Sequence, residues 1–250
     1  MPDSRQTAAL NSADPAAGLD ARQQLACCLR LLSQIGWNEN FAGHITWQEP
    51  GSDTMWCNPA GLWWNEVSAS DICRVDLKGH VVDGTRGVTE AIFIHTELHR
   101  RRDDARVVVH GHPYYATLLS AIPLPPRITH QAGCLFDGEL GVVAEYDGGV
   151  TDVSAGQHLA DGVGESSGVI MANHGALVTA GTPALATFRA VTFERMCQAT
   201  VDLIKMGAEA QEIAPRFRAS NARWLQDKGV REYWSGAVRQ LVSQDPSVLD

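Results

Sequence analysis

The stretch "VVVHGHP", Val107 to Pro113, constrains this chain more than any other. Three β-branched valines favour a strand, and proline suits the opening of a helix. The region therefore reads as a strand over 106–110 and a helix over "PYYATLLSAI". Side chains two apart on a strand face the same way, which aims His110 and His112 at one point if the strand continues. Gly111 between them lets an ion or ligand approach the backbone. An HxH pair alone is compatible with a surface turn, a core histidine or a metal site.

Two further features bear on that choice. In "ANHGAL", His174 stands between a strand-like run and Gly175, the kind of tight turn where a side chain is aimed rather than packed. A catalytic ion commonly takes three protein ligands and keeps one position open, and HxH plus one distant histidine fits that count. Glu90 opens a helix running to about Arg102, with Thr89 as its N-cap, and reads either as a capping residue or as an acid/base beside the ion. His95 reads as a core-edge histidine, His99 as a flank residue of the same helix, and His158 as a helical surface residue.

Around these features the chain shows no repeat and no Gly/Ser-rich linker. A first helix spans about Leu19 to Ile35 and is ended by Gly36. "GHITWQE" and "TMWCNP" read as a hairpin, and "ICRVDLKGHVVDG" as two more short strands. Residues 122–151, rich in proline and glycine, give no clear pattern. A helix over about 154–165, two strands around Asn173-His174-Gly175, a long helix from Pro183 to about Met206 and two short helices complete the reading. Hairpins come first and helices are interspersed without regular βαβ alternation. That predicts an α/β fold with a mostly antiparallel sheet covered by helices on both sides.

At 250 residues and 44% apolar, the chain is long enough for a full core. Its net charge of −9 argues against nucleic acid or an anionic membrane as partner. No apolar run is long enough to span a bilayer, and the N-terminus lacks the order of a signal peptide. Residues 1–16 read as a disordered lead-in and 17–250 as one domain. Six cysteines without a CxxC read as reduced, packed thiols of a cytoplasmic protein.

Together, "TEAIFIHTELHRRRDDARVVVHGHPYYAT" and "MANHGALVTAGTPALATFRAVTFE" resemble the class II aldolase/adducin family, over about 23–205. A helix-opening Glu, then HxH, then NHG, stand in the family's order. The resemblance implies a three-layer α/β/α fold around a mostly antiparallel sheet. It also implies a homotetramer or larger assembly acting on a small molecule. His110, His112 and His174 would be the ligands of one divalent ion per subunit (zinc or manganese, with iron or cobalt also compatible), and Glu90 the catalytic acid/base.

The departures bear on the substrate. Where the family's sugar-phosphate aldolases carry phosphate-binding turns, this chain reads Gly43-His44-Ile45-Thr46, Asn58-Pro59-Ala60-Gly61 and Val88-Thr89-Glu90, with donors lost in each. Trp63 and Trp64 adjoin the second turn. An indole pair suits a flat or apolar substrate better than a phosphate. The leading expectation is therefore a decarboxylase of a hydroxylated aromatic carboxylate, dihydroxyphthalate-like. His44 and His130 would bind the remaining carboxylate, Trp63 or Trp64 would flank the ring, and Asn58, Gly61 and Thr89 would line the pocket. His130 stands in for an acidic tyrosine of the aldolases, and Tyr233 is a candidate for reaching an adjacent subunit's site. The alternatives are an aldolase acting on an unphosphorylated hydroxy-keto acid, a metal-dependent oxygenase and a non-catalytic adducin-like module.

Overall fold

A computed structural model describes residues 14–250. Of the expected lead-in over 1–16, residues 1–13 lie outside the described residues. From Asp14 the chain is in a turn, with the Asp14 carboxylate accepting from the Ser235 hydroxyl. Helix α1, Ala21–Ser33, follows a capping box in which Asp20 and Gln23 each accept from the other's backbone. Strands β1 (His44–Trp47) and β2 (Thr54–Cys57) form the expected hairpin, and β3 (Cys73–Asp76) and β4 (Val81–Asp83) extend it.

Thr89 caps a 3-10 turn, Glu90–Ile92, by accepting from the Ala91 N–H. The chain kinks at Ala91 and continues as helix α2, Phe93–Arg101. Strand β5, Val107–Gly111, then leads through His112 and Pro113 into the short helix α3, Tyr114–Ser120. Residues 122–151 hold a 3-10 segment, Gln131–Phe136, and strand β6, Leu140–Val143, which the sequence pattern does not reveal. Helix α4 (Val153–Val163), strands β7 (Gly168–Met171) and β8 (Gly175–Ala180), and the 23-residue helix α5 (Pro183–Lys205) come next. Helices α6 (Pro215–Trp224) and α7 (Val230–Gln244) are joined by a π-helical stretch, so the two short helices run on from one another.

The eight strands form one mixed sheet in the order β4-β3-β2-β1-β5-β8-β7-β6, antiparallel except for β6 with β7. Strand β5 lies inside it, between β1 and β8, and all five of its residues are buried. Alternation along the central strands sorts their side chains into two clusters, and Met55, Cys57 and Val75 of β2 and β3 join Ile92 in a third. Val107, Val109, Ile170 and Val178 join α1, α3, α5 and α7 residues, while Val108, Val169, Met171 and Leu177 join Ile94 and Leu98 of α2 and Leu159 and Val163 of α4. Helices thus pack on both faces, and the central valines have no solvent side to alternate with.

All six cysteines are buried thiols, and burial pushes Cys27 and Cys28 up to about 12, which keeps them protonated. Among the described residues no helix is long and apolar enough to cross a membrane.

Candidate metal centre

His110 is the fourth residue of β5 and His112 the first after it, so the strand delivers both to one end of the sheet. His174 comes from the turn between β7 and β8, where Asn173 takes a left-handed backbone (φ 52°) and the His174 N–H donates to the Met171 carbonyl. Met171 pairs with Gly175 across this turn, and β8 pairs with β5. The ladder that sets β8 beside β5 therefore also sets His174 beside the HxH pair. Gly175 is required: a Cβ there would lie 2.5 Å from the Gly111 carbonyl oxygen and 2.7 Å from the His112 ring.

The three rings close a triangle with centroid separations of 5.2 Å (His110–His112), 4.8 Å (His110–His174) and 5.1 Å (His112–His174). One ligand nitrogen from each falls within 4.8 Å of the others. A tetrahedral ion with nitrogen bonds of about 2.0–2.1 Å needs its nitrogens nearer to about 3.4 Å apart, so modest side-chain rotation completes the site.

The outer groups fix which nitrogen faces inward. His110 Nδ1–H donates to the Ala176 carbonyl at 3.1 Å, and His112 Nδ1–H donates to the Glu39 carboxylate at 3.2 Å. Each assignment leaves Nε2 as a lone pair. His112 Nε2 is buried and meets no protein partner. A buried acceptor with nothing to accept is costly, and an ion at the centre of the triangle removes that cost. Burial, and then the neighbouring imidazoles, hold His110 well below the ordinary histidine range, and burial together with His112 lowers His174 to about 4. Both rings are therefore neutral at pH 7 and able to ligate. The donor set fits a divalent ion.

The other sequence candidates are distributed as follows. His44 joins the cluster, its ring 4.9 Å from His110 and paired with it across β1 and β5. Its Nδ1 bonds to His95 Nε2 at 2.6 Å. His95 and His99 are both buried, so His99 is not the flank residue expected, because α2 turns that face onto β1. Asn58 is buried and accepts from the Ile45 N–H, which ties the β2 end to β1. Trp64 is fully buried with its indole N–H donating to the Gly43 carbonyl, so it cannot flank a substrate ring. Trp63 is 48% exposed. Gly61 stands in an exposed turn with φ +84°.

Thr89 is occupied as a cap, and Glu90 is exposed on the 3-10 turn that precedes α2. His130 is not brought to the ring cluster: it precedes the 3-10 segment, where burial and Arg195 lower its pKa. Tyr233 is stacked on Phe188 at 4.9 Å.

Sequence reading missed Glu39, whose role depends on a contact 73 residues distant, and a cavity of ≈ 390 Å³ beside His174. Tyr146, Val150, Leu159 and Met171 line this cavity, and the Tyr146 ring lies 6.2 Å from His174. Glu145, Asp147 and His158 form a second, exposed group of ligand-type side chains along it.

Comparison with known proteins agrees with this geometry. The profile of the class II aldolase and adducin N-terminal domain matches residues 23–201. A 4-hydroxy-3-prenylphenylpyruvate oxygenase/4-hydroxy-3-prenylbenzoate synthase of Streptomyces roseochromogenus is 36% identical over 162 residues, 62% of this chain and 57% of that protein. The decarboxylase NovR of Streptomyces niveus is 35% identical over 162 residues, 62% and 59% of the two chains. Among solved structures, an L-fuculose 1-phosphate aldolase from Glaciozyma antarctica superposes with a TM-score of 0.78 at 21% identity, covering 92% of this chain and 91% of its own, which shows a shared fold.

Proposed function

Because the chain belongs to the class II aldolase and adducin family, we propose that it is a metal-dependent carbon–carbon lyase that decarboxylates a hydroxylated aromatic carboxylate. The observation that carries this reading is the set of three histidine nitrogens, one buried without a partner, beside a cavity where Tyr146, Val150, Leu159 and Met171 share the lining with Glu145, Asp147 and Asp152. Loss of the phosphate-binding side chains at Gly43–Thr46 and Asn58–Gly61 points away from sugar phosphates. The similarity to one relative named a decarboxylase and to another whose name includes a 4-hydroxy-3-prenylbenzoate synthase adds support.

His110, His112 and His174 would hold the ion through Nε2, with the Ala176 carbonyl and Glu39 orienting the first two rings. When bound, a zinc, manganese, iron or cobalt ion supplies Lewis-acid withdrawal of charge from the substrate's chelating oxygens. The substrate ring occupies the cavity beside Tyr146 and Met171. The bond from ring to carboxylate breaks, carbon dioxide leaves, and the electron pair remains on the ring carbon. Glu90, as the acid/base, would pass a proton from solvent to that carbon. The working form is a homotetramer in the cytoplasm, and sedimentation of the metal-loaded protein is expected to read four subunits.

The test is carbon dioxide release from a panel of ortho-hydroxy aromatic carboxylates, dihydroxyphthalates included, with Mn²⁺ or Zn²⁺ supplied. Metal-dependent release that disappears in His174→Ala, with metal loss verified, is expected. Pyruvate or glycolaldehyde released from a hydroxy-keto acid instead would replace decarboxylation by aldol cleavage. Oxygen uptake would mark an oxygenase. A protein with no affinity for any divalent ion would be a scaffolding module.

A further inference from the structure

The three clustered histidines are not held alike. His110 lies within β5, paired with His44 on one side and Leu177 on the other, and His174 lies in the turn that closes the β7–β8 pairing. His112 stands one residue beyond the last paired position of β5, where Gly111 faces Ala176. The ladder therefore does not set its backbone. A metal ligand needs its place fixed to within about 0.5 Å, so something else must hold the chain there.

Helix α5 does so from both sides. Before the ring, the His112 N–H donates to the Trp37 carbonyl at 3.1 Å. Trp37 is fully buried, and its indole N–H donates to the Ala190 carbonyl on α5 at 2.9 Å. Gly111 permits this approach, because a Cβ there would lie 2.4 Å from the same Trp37 carbonyl oxygen. After the ring, the Glu194 carboxylate on α5 accepts from the Tyr115 and Ala116 N–H groups. Ala190 and Glu194 are four residues apart on α5 and share a face. One turn of a 23-residue helix thus fixes the chain on either side of His112. Trp37 also carries Glu39, two residues on, whose carboxylate meets His112 Nδ1 at 3.2 Å. The loop that places the His112 backbone is the loop that orients its ring.

We propose that Trp37 and Glu194 are positioning residues of the metal centre, setting the backbone of His112 within reach of an ion shared with His110 and His174. The working group of Trp37 is its indole N–H rather than its bulk. This role rests on the metal reading of the three histidines; the two-sided hold on the chain does not.

Zinc affinity of the full chain is read by chelator competition. Trp37→Phe keeps an aromatic ring and removes the N–H, and is expected to weaken zinc about tenfold. Val75→Ala, which empties volume in the cluster of β2 and β3, is expected to lower stability and leave zinc affinity unchanged. In the Trp37→Phe/Glu39→Gln double variant, the loss is expected to fall short of the product of the two single losses, because Glu39 acts from the loop that Trp37 anchors. Unchanged affinity in Trp37→Phe, an equal loss in Val75→Ala, or single losses that multiply in full each overturns the role of Trp37.

Glu194→Ala is expected to weaken zinc and to shift the visible absorption of the cobalt-loaded protein. Glu194→Gln, which keeps an acceptor, is expected to restore most of both. A Glu194→Ala protein with the parent's affinity and spectrum overturns the role of Glu194, and this pair alone decides if Trp37→Phe does not fold. Amide exchange in the metal-free protein separates the hold from the metal reading. The His112 amide is expected to exchange faster in Trp37→Phe than in Val75→Ala, and equal rates overturn the hold. No zinc or cobalt bound by the unaltered protein refutes the metal reading and the positioning role with it, even where exchange shows the hold.

Discussion

The two ring nitrogens of His112 are treated differently by the fold. Nδ1 meets the Glu39 carboxylate, and Nε2 is buried without a protein partner. Glu39 therefore sets which nitrogen can ligate and raises its basicity. Glu39→Gln is expected to weaken zinc binding about 10- to 100-fold in a chelator competition, with the fold intact by circular dichroism. Unchanged affinity would remove Glu39 from the site. The three clustered histidines were legible in sequence because their signals are local: two histidines at strand spacing, and one histidine in a glycine turn. Glu39, and the partners of His95 and His99, were not, because each depends on what another part of the chain places opposite. Helical spacing told that His95 and His99 share a face with one another; it could not tell that the face meets Thr46.

Helix α3 depends on a side chain outside itself. Pro113 gives it no side-chain cap, and the Glu194 carboxylate on α5 accepts from the Tyr115 and Ala116 N–H groups instead, at 2.8 and 3.0 Å. Burial raises Glu194 from 4.5 to about 7, against the pull of those two bonds. The folded state thus keeps a proton that the unfolded chain has released. The resulting stabilisation is full below pH 4.5 and is lost as pH rises through about 7.

Glu194→Gln keeps an acceptor and removes the titration. Its stability relative to the parent protein is expected to rise between pH 4.5 and 8, by up to about 3 kcal/mol in urea unfolding. A difference independent of pH would contradict the raised pKa. At this scale most helices and the first hairpins could be read from periodicity and capping residues. Strand β6 could not. Its four residues, "LGVV", are too short for a pattern, and their parallel pairing with β7 is a tertiary choice.

For the molecule as a whole, the three proposed ligands, His110, His112 and His174, arise from two segments that meet through the sheet. Metal removal is therefore expected to lower global stability. At free zinc 100 times its Kd, binding contributes about 2.7 kcal/mol, or about 5–10 °C in Tm for a chain of this size. Calorimetry before and after chelation measures it, and an unchanged Tm would mean that the site is not held in the folded state alone. The mostly antiparallel sheet was legible from hairpins that precede helices without regular βαβ alternation. The cavity beside His174 was not, since much of its lining comes from the loop over 143–152, whose sequence carries little pattern.

The β5–β8 ladder also bears on the order of events in folding. His110 and Ala176 stand 66 positions apart in the chain and meet across that ladder. A bound ion therefore acts as a removable cross-link closing a long loop, and it finds all its ligands only after the strands have paired. Zinc is expected to leave the refolding rate unchanged and to slow unfolding, since its bonds form after the rate-limiting step. Stopped-flow kinetics with and without zinc reads both arms, and faster refolding with zinc would instead put the ligand pairing in the folding nucleus. The same ion that equips the site for chemistry would then set how long each copy resists opening and proteolysis.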